Sequence, residues 1–287
     1  MLVDMSLGLA VPLALASAGC FAAGIAVQHQ EAQATSRADL NHAQLIGVLV
    51  QRPLWLLSNV ALVIGAALQT AALAVGSLVV VQPILVMGLL FAMPISARLH
   101  RRRVTARQWT WAVVTVGGLA AFLALVGEAQ GRSRPHLDHS GVTLGCMAIV
   151  GLTAAGAALW PGPRAKAALY GVSSGAAAGL AAAALKACTG LLRDHGVGVL
   201  ASPYPYAAAV TGILALVLSQ AAYRTGPLSA SVPALTLSDP VVSVAVGISL
   251  FAERLAGHGA RHTLAALVLV IAFGAVVALA RADDGPG

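Results

Sequence analysis

The sequence predicts an all-α polytopic membrane protein, and three observations carry that expectation. Hydrophobic residues fill 59% of the 287 positions and charged residues only 9%, against about 25% charged in an ordinary soluble domain. The mean hydropathy is +0.86. The apolar residues fall in long runs separated by short polar loops, and those loops hold all but one of the 17 Lys and Arg. Abundant glycine (30 residues) and few aromatics (5%) suit helices packed backbone to backbone through small side chains.

A spanning helix needs about 20 mostly apolar residues, and that criterion gives nine spans. The first is Ser6–Gln28. Within it, Leu13-Ala-Leu-Ala-Ser-Ala-Gly-Cys20 has the look of a lipoprotein signal, but the region before it carries Asp4 and no Lys or Arg. The apolar run also continues to Val27, so a retained helix is expected. Asp39–Gln51 is too short and interrupted to cross and reads as a surface helix capped by Asp39.

Leu54–Val75 and Ser77–Ala97 follow as a pair turning at Gly76, then Gln108–Val126 after the most basic loop. Gly141–Trp160 is the fifth span, and Ala167–Leu191, rich in alanine and glycine, is the sixth. Tyr206–Tyr223, Gly226–Phe251 and Thr263–Ala280 complete the set. Residues 1–287 form one transmembrane domain on this reading: a first half over 6–126, a connecting helix over 141–160 and a second half over 167–281.

Lys and Arg stay on the cytoplasmic side of a membrane. With nine spans, one face collects eleven of them, from Arg37 through Arg98, Arg101, Arg102, Arg103 and Arg107 to Arg281, and the other collects five. The N-terminus is therefore expected outside and the C-terminus in the cytoplasm, in a plasma (inner) membrane. Trp55, Trp109, Trp111 and Trp160 all fall at the cytoplasmic ends of their spans, as an interfacial belt would. The net charge of +7 then belongs to loops beside anionic lipid and gives no reason to expect nucleic acid. Cys20, Cys146 and Cys188 are widely spaced within apolar runs and read as small core residues.

A shift of 150 residues lays Leu68-Gln-Thr-Ala-Ala-Leu-Ala-Val-Gly-Ser-Leu-Val-Val-Val-Gln-Pro-Ile-Leu85 over Leu218-Ser-Gln-Ala-Ala-Tyr-Arg-Thr-Gly-Pro-Leu-Ser-Ala-Ser-Val-Pro-Ala-Leu235. Gly76 meets Gly226 and Pro83 meets Pro233 without a gap. The first unit turns on the outer face and the second on the inner, so the expected architecture is two inverted-topology halves. Proline-interrupted helices in corresponding places of inverted halves point to a secondary transporter with a midplane site. Each proline also frees a carbonyl one turn earlier, those of Val79 and Ser229.

A small-residue first helix, a pair turning at Gly76 with Gln82-Pro83, and a second copy ending in Leu250-Phe-Ala-Glu-Arg254 resemble the drug/metabolite transporter superfamily. Its EamA-type members end the proline helix of each half with a similar Leu-Gly-Glu-Arg signature. They have ten helices, whereas here the first half lacks its second helix, of which Asp39–Gln51 is the remaining piece. Ser96-Ala-Arg-Leu-His100 stands where the first acidic signature would be. Nine helices and the Gly-Ile-Ala-Val-Gln-His-Gln end of the first span are similar to the branch with NIPA-type magnesium transporters. The resemblance implies transport of a small solute or ion.

The residues expected to carry such chemistry are few. Asp239, in mid-span between Pro233 and Pro240, is costly at that depth, by about 2.5–3.5 kcal/mol on insertion scales. It suits a proton-coupling or cation-binding switch, or else a buried acid that pairs with a lysine or caps a broken helix. Lys186, the one cation inside a span, has three readings: it snorkels outward, pairs with Asp239, or meets an anionic substrate group. Gln82 is the first-half partner expected at the site with Pro83 and Pro233. Gln69, Asn59 and Thr236, and with them the site candidates Gln220 and Ser238, fit interhelical hydrogen bonding equally well. Gly175-Ala-Ala-Ala-Gly179 has the spacing for close helix contact.

Glu253 and Arg254 read as a helix end or a surface ion pair at the outer face. His136, Asp138, His139, His258 and His262 fall on the same side, with spacings that specify no metal site. No nucleophile elbow, phosphate loop or zinc pattern appears, and no cofactor is expected. The sequence therefore predicts a non-enzymatic secondary transporter, alternating access around a site between the Pro83 and Pro233 helices, with Asp239 as the coupling group. A magnesium transporter and a non-transporting membrane protein, such as a lipid-handling enzyme or assembly factor, are the alternatives.

Overall fold

The computed structural model describes residues 2–35, 52–99, 104–126, 140–226, 228–253 and 259–283. Asp39–Gln51, the His136–His139 loop, Arg254 and His258 lie outside them. Among the described residues every regular element is helical: α1 (Leu2–Thr35), α2 (Pro53–Val75), α3 (Leu78–Leu85), α4 (Gly88–Leu99), α5 (Ala106–Val126), α6 (Ser140–Leu159), α7 (Pro163–His195), a 3₁₀ turn (Gly196–Ala201), α8 (Tyr204–Thr225), α9 (Leu228–Leu250) and α10 (Ala260–Asp283). Pro53 and Pro163 start their helices at the position where the missing N–H costs nothing.

Five helical stretches are long and apolar enough to cross a membrane: Gly8–Val27, Pro53–Val75, Pro163–Ala201, Tyr204–Thr225 and Pro233–Leu250. The outside of the molecule is apolar, with Leu57 and Val63 of α2, Leu152 of α6, Ile213 of α8 and Val270 of α10 all exposed. The inside holds alanines together with Ser17, Ser58, Gln82, Ser173, Ser174, Ser243, Lys186 and Glu253. So apolar an outside is unlike that of a water-soluble fold, and it fits a chain embedded in lipid.

The third expected span is not one helix. Pro83 lies in α3, and beyond it Val86 donates to the Pro83 carbonyl at 3.2 Å and Met87 to that of Ile84 at 3.0 Å. These tighter i→i+3 bonds end α3 before Gly88 opens α4. α9 stays a single helix despite Pro233 and Pro240. The position matching Gly88 there is Ser238, whose hydroxyl donates to the Ala234 carbonyl at 2.7 Å.

The helices meet through small residues. α7 packs on α9 along Gly171, Gly175 and Gly179: a Cβ would stand 2.6 Å from the Ser231 carbonyl oxygen at Gly171 and 2.8 Å from that of Asp239 at Gly179, and at Gly175 it would collide with the Leu235 carbonyl. The close contact expected from Gly175 and Gly179 is thus within the chain. α10 approaches α5 at Gly118, where a Cβ would be 3.0 Å from that of Ala272.

Several contacts recur at matched positions. Ser17 of α1 donates to the Gly65 carbonyl of α2 at 2.7 Å, and Ser174 of α7 donates to the Ala215 carbonyl of α8, also at 2.7 Å. A Cβ at Gly76 would lie 2.8 Å from that of Ala10, and one at Gly226 would lie 2.9 Å from that of Ala167. In α2 and α8 these partners are 150 residues apart, and in α1 and α7 they are 157 apart.

Candidate functional site

The turn at Gly76 sets up the first half of the site. Ser77, extended at φ −86° and ψ 155°, caps α3 by accepting the Val80 N–H. The two N–H groups before it, Leu78 and Val79, would be orphaned at a buried helix start. Both are taken by one carboxylate: Leu78 donates to Glu253 Oε1 at 2.9 Å and Val79 to Oε2 at 3.0 Å. A carboxylate at a helix N-terminus also meets the positive end of the helix dipole.

Glu253 reaches that point because α9 ends sharply. Ala252 takes the left-handed region at φ 48°, and the Glu253 N–H folds back onto the Gly247 carbonyl at 3.2 Å. The carboxylate then lies over Gly247, where a Cβ would stand 2.7 Å from Oε2. Only a residue without a side chain leaves that space.

Lys186 of α7 completes the cluster. Its Nζ forms a buried ion pair with Glu253 Oε1, reaches the Gly76 carbonyl at 3.4 Å and stands 5.2 Å from the centre of the Phe251 ring. Four segments are thereby tied at one end of the molecule: the end of α2, the start of α3, the last turns of α7 and the tail of α9. Close by, Arg193 donates to the Ala74 carbonyl.

Two sequence expectations change here. Lys186 is buried and neither snorkels outward nor pairs with Asp239. Glu253 is 2% exposed, so it is no surface residue, and it is the partner of Lys186. The depth needed to see this was legible: Lys186 lies near one end of the predicted sixth span, and Glu253 closes the predicted eighth at the same face. The more conspicuous Asp239 drew the pairing instead.

Asp239 lies deeper on α9. It accepts from Ser243 Oγ at 3.2 Å, and its backbone packs against Gly175 and Gly179. Among the described residues that hydroxyl is the carboxylate's hydrogen-bond donor. Gln82 is 1% exposed on α3, and neither its amide nitrogen nor its oxygen has a partner among the described residues. Ser231, 0% exposed on α9, has an unpartnered hydroxyl as well.

Pro83 and Pro233 are buried beside Gln82 and Ser231. The Ser238 hydroxyl is spent on its own helix, and Gln220 is exposed on α8, so neither joins the polar interior. Asn59 likewise bonds within α2, to the Trp55 carbonyl at 2.8 Å. Among the described residues no three His, Cys, Asp or Glu side chains gather into a metal-binding group.

Fold and site together define an all-helical, membrane-embedded protein with a buried ion pair at one end and unsatisfied polar groups in its interior. The chain is similar to an uncharacterized protein of Corynebacterium glutamicum, 29% identical over 284 residues that cover 97% of this chain and 96% of the relative. No family model matches the chain, and no solved structure matches it.

Proposed function

We propose that the protein is a secondary transporter that moves a small solute across the inner membrane by alternating access. It has nine spans in two inverted halves, with the N-terminus outside and the C-terminus in the cytoplasm. The observation that carries this reading is the recurrence of one interlock. Ser17 with Gly65 and Ala10 with Gly76 in the first half repeat as Ser174 with Ala215 and Ala167 with Gly226 in the second.

The contacts at Gly76 support the inversion. Ala10, early in α1, and Lys186, late in α7, both reach Gly76, so the start of one matched helix is level with the end of the other. Similar halves in opposite orientation are the pattern on which alternating access is built. In this state the Lys186–Glu253 pair closes the outer end, and Asp239 on α9 is the coupling group.

Proteoliposomes loaded with purified protein test the reading. A solute gradient or a proton gradient should drive counterflow of a labelled solute, and Asp239→Asn should abolish its dependence on the proton gradient while leaving exchange measurable. Gradient dependence equal to that of the unaltered protein would remove Asp239 from coupling. Uptake of magnesium with no organic solute moved would replace the proposal with a divalent-cation transporter.

A further inference from the structure

The interior polar groups restrict what the solute can be, given the transport site proposed above, on which this inference rests. Leu78 of α3 faces Gly247 of α9, with a Cβ at Gly247 placed 3.1 Å from that of Leu78. α3 starts beside the end of α9 and packs along it, which sets the two in opposite directions. Gln82, four residues along α3, and Ser243, four residues back along α9, are each about 6 Å deeper and share a level. Ser243 is bonded to Asp239 one turn further in. The unpartnered Gln82 amide and the Asp239 carboxylate are therefore about one helical turn apart in depth.

Their unmet capacity has a definite chemistry. The Gln82 side chain offers two N–H donors and a carbonyl acceptor, all unused. Leaving such a group dry costs about 1–3 kcal/mol, so a partner is expected. Lys186, the one cation within a predicted span, is already held by Glu253. The charge left at the Gln82–Ser243 level is the Asp239 carboxylate, which repels an anion and attracts a cation. A single carboxylate beside neutral oxygens is also a poor set of ligands for a dedicated divalent-cation cage.

We propose that the solute bound between α3 and α9 carries a protonated amine, held by Asp239, next to a group that both donates and accepts a hydrogen bond, such as a carboxamide, held by Gln82. Calorimetric titration of the purified full chain in detergent tests this with four probes: β-alaninamide, propionamide, β-alanine and magnesium chloride. β-Alaninamide has both groups, propionamide lacks the amine, and β-alanine presents a carboxylate in place of the amide.

β-Alaninamide should bind at least about tenfold more tightly than propionamide, since a charge-assisted contact exceeds a neutral one, and more tightly than β-alanine. Asp239→Asn should erase the difference between the two amides. Gln82→Met should weaken β-alaninamide while an amine preference remains, and Gln82→Asn, which keeps the amide but withdraws it by one methylene, gives a milder route to the same loss should Gln82→Met not fold. Equal binding of the two amides, tighter binding of β-alanine, no binding of any amide, or binding of magnesium chloride alone would overturn the assignment. Binding as expected with no counterflow in proteoliposomes would instead refute the transport reading and leave the ligand chemistry standing.

Discussion

Removing either partner of the Lys186–Glu253 pair should have unequal consequences. Glu253→Leu leaves the Lys186 ammonium with the Gly76 carbonyl and the Phe251 ring, and strips the Leu78 and Val79 N–H groups of their acceptor. Lys186→Met leaves a carboxylate that still holds both N–H groups. Breaking a buried pair from one side costs about 3–5 kcal/mol. Glu253→Leu should sit at or above the top of that range and Lys186→Met at or below its foot. The double variant should cost less than the sum by about 2 kcal/mol or more, because neither charge is stranded. Reversible unfolding in mixed micelles reads these differences. Opening of the outer end can be read separately through Cys188, which is half-buried two residues beyond Lys186. With Cys20 and Cys146 changed to serine, an impermeant maleimide should label Cys188 about tenfold faster in the Glu253 variant. Equal costs for the two single variants, additivity in the double one and unchanged labelling would together refute the idea of a closing ion pair.

Three further substitutions probe the framework. Gly175→Ala should prevent normal assembly of α7 on α9, since its Cβ has no room at the Leu235 carbonyl, whereas Gly212→Ala, with nothing within 4 Å, should be neutral or stabilising by about 0.5–1 kcal/mol; size-exclusion profiles and melting curves compare them. Ser17→Ala and Ser174→Ala should each cost about 0.6 kcal/mol, the average for hydrogen bonds between membrane helices, and by similar amounts in the two halves if the matched bonds do matched work. Ala252→Gly should stabilise by about 1 kcal/mol, because φ 48° strains alanine and not glycine, and a lower midpoint of unfolding would argue against that strain.

The helices were legible because lipid demands long apolar runs, and among the described residues the predicted spans fall on helix, the third of them divided into α3 and α4. Within a span the sequence said less. Pro83 and Pro233 are matched, yet only the first helix is interrupted, and Gly88 stands in it where Ser238 stands in the second. The Gly175 and Gly179 contact could be read from spacing alone because a missing side chain has few other uses there. The ion pair could not, since pairing depends on which helix ends share a face and a depth. Gln82 was picked out for its position beside Pro83, but that both its amide atoms lack partners is visible only once its neighbours are placed.

The matched positions also bear on where the two halves differ. The sequence reading took the first half to lack its second helix, with Asp39–Gln51 as the remnant. Ala10 and Ser17 of α1 correspond to Ala167 and Ser174 of α7, and Gly65 and Gly76 of α2 to Ala215 and Gly226 of α8. α6, which stands before α7, lies outside this correspondence. It packs on α7, where Thr153 meets the Ser173 hydroxyl at 2.6 Å, and buries Cys146, Val150 and Ala157, while Leu144, Met147, Leu152 and Leu159 remain exposed. Under the proposed topology its main contribution is parity. α1, α2, the α3–α4 pair and α5 make four crossings, after which α7 would begin on the side where α1 began and the halves would be parallel. One more crossing by α6 turns the second half over, and this brings the late part of α7, with Lys186, to the end where α3 begins.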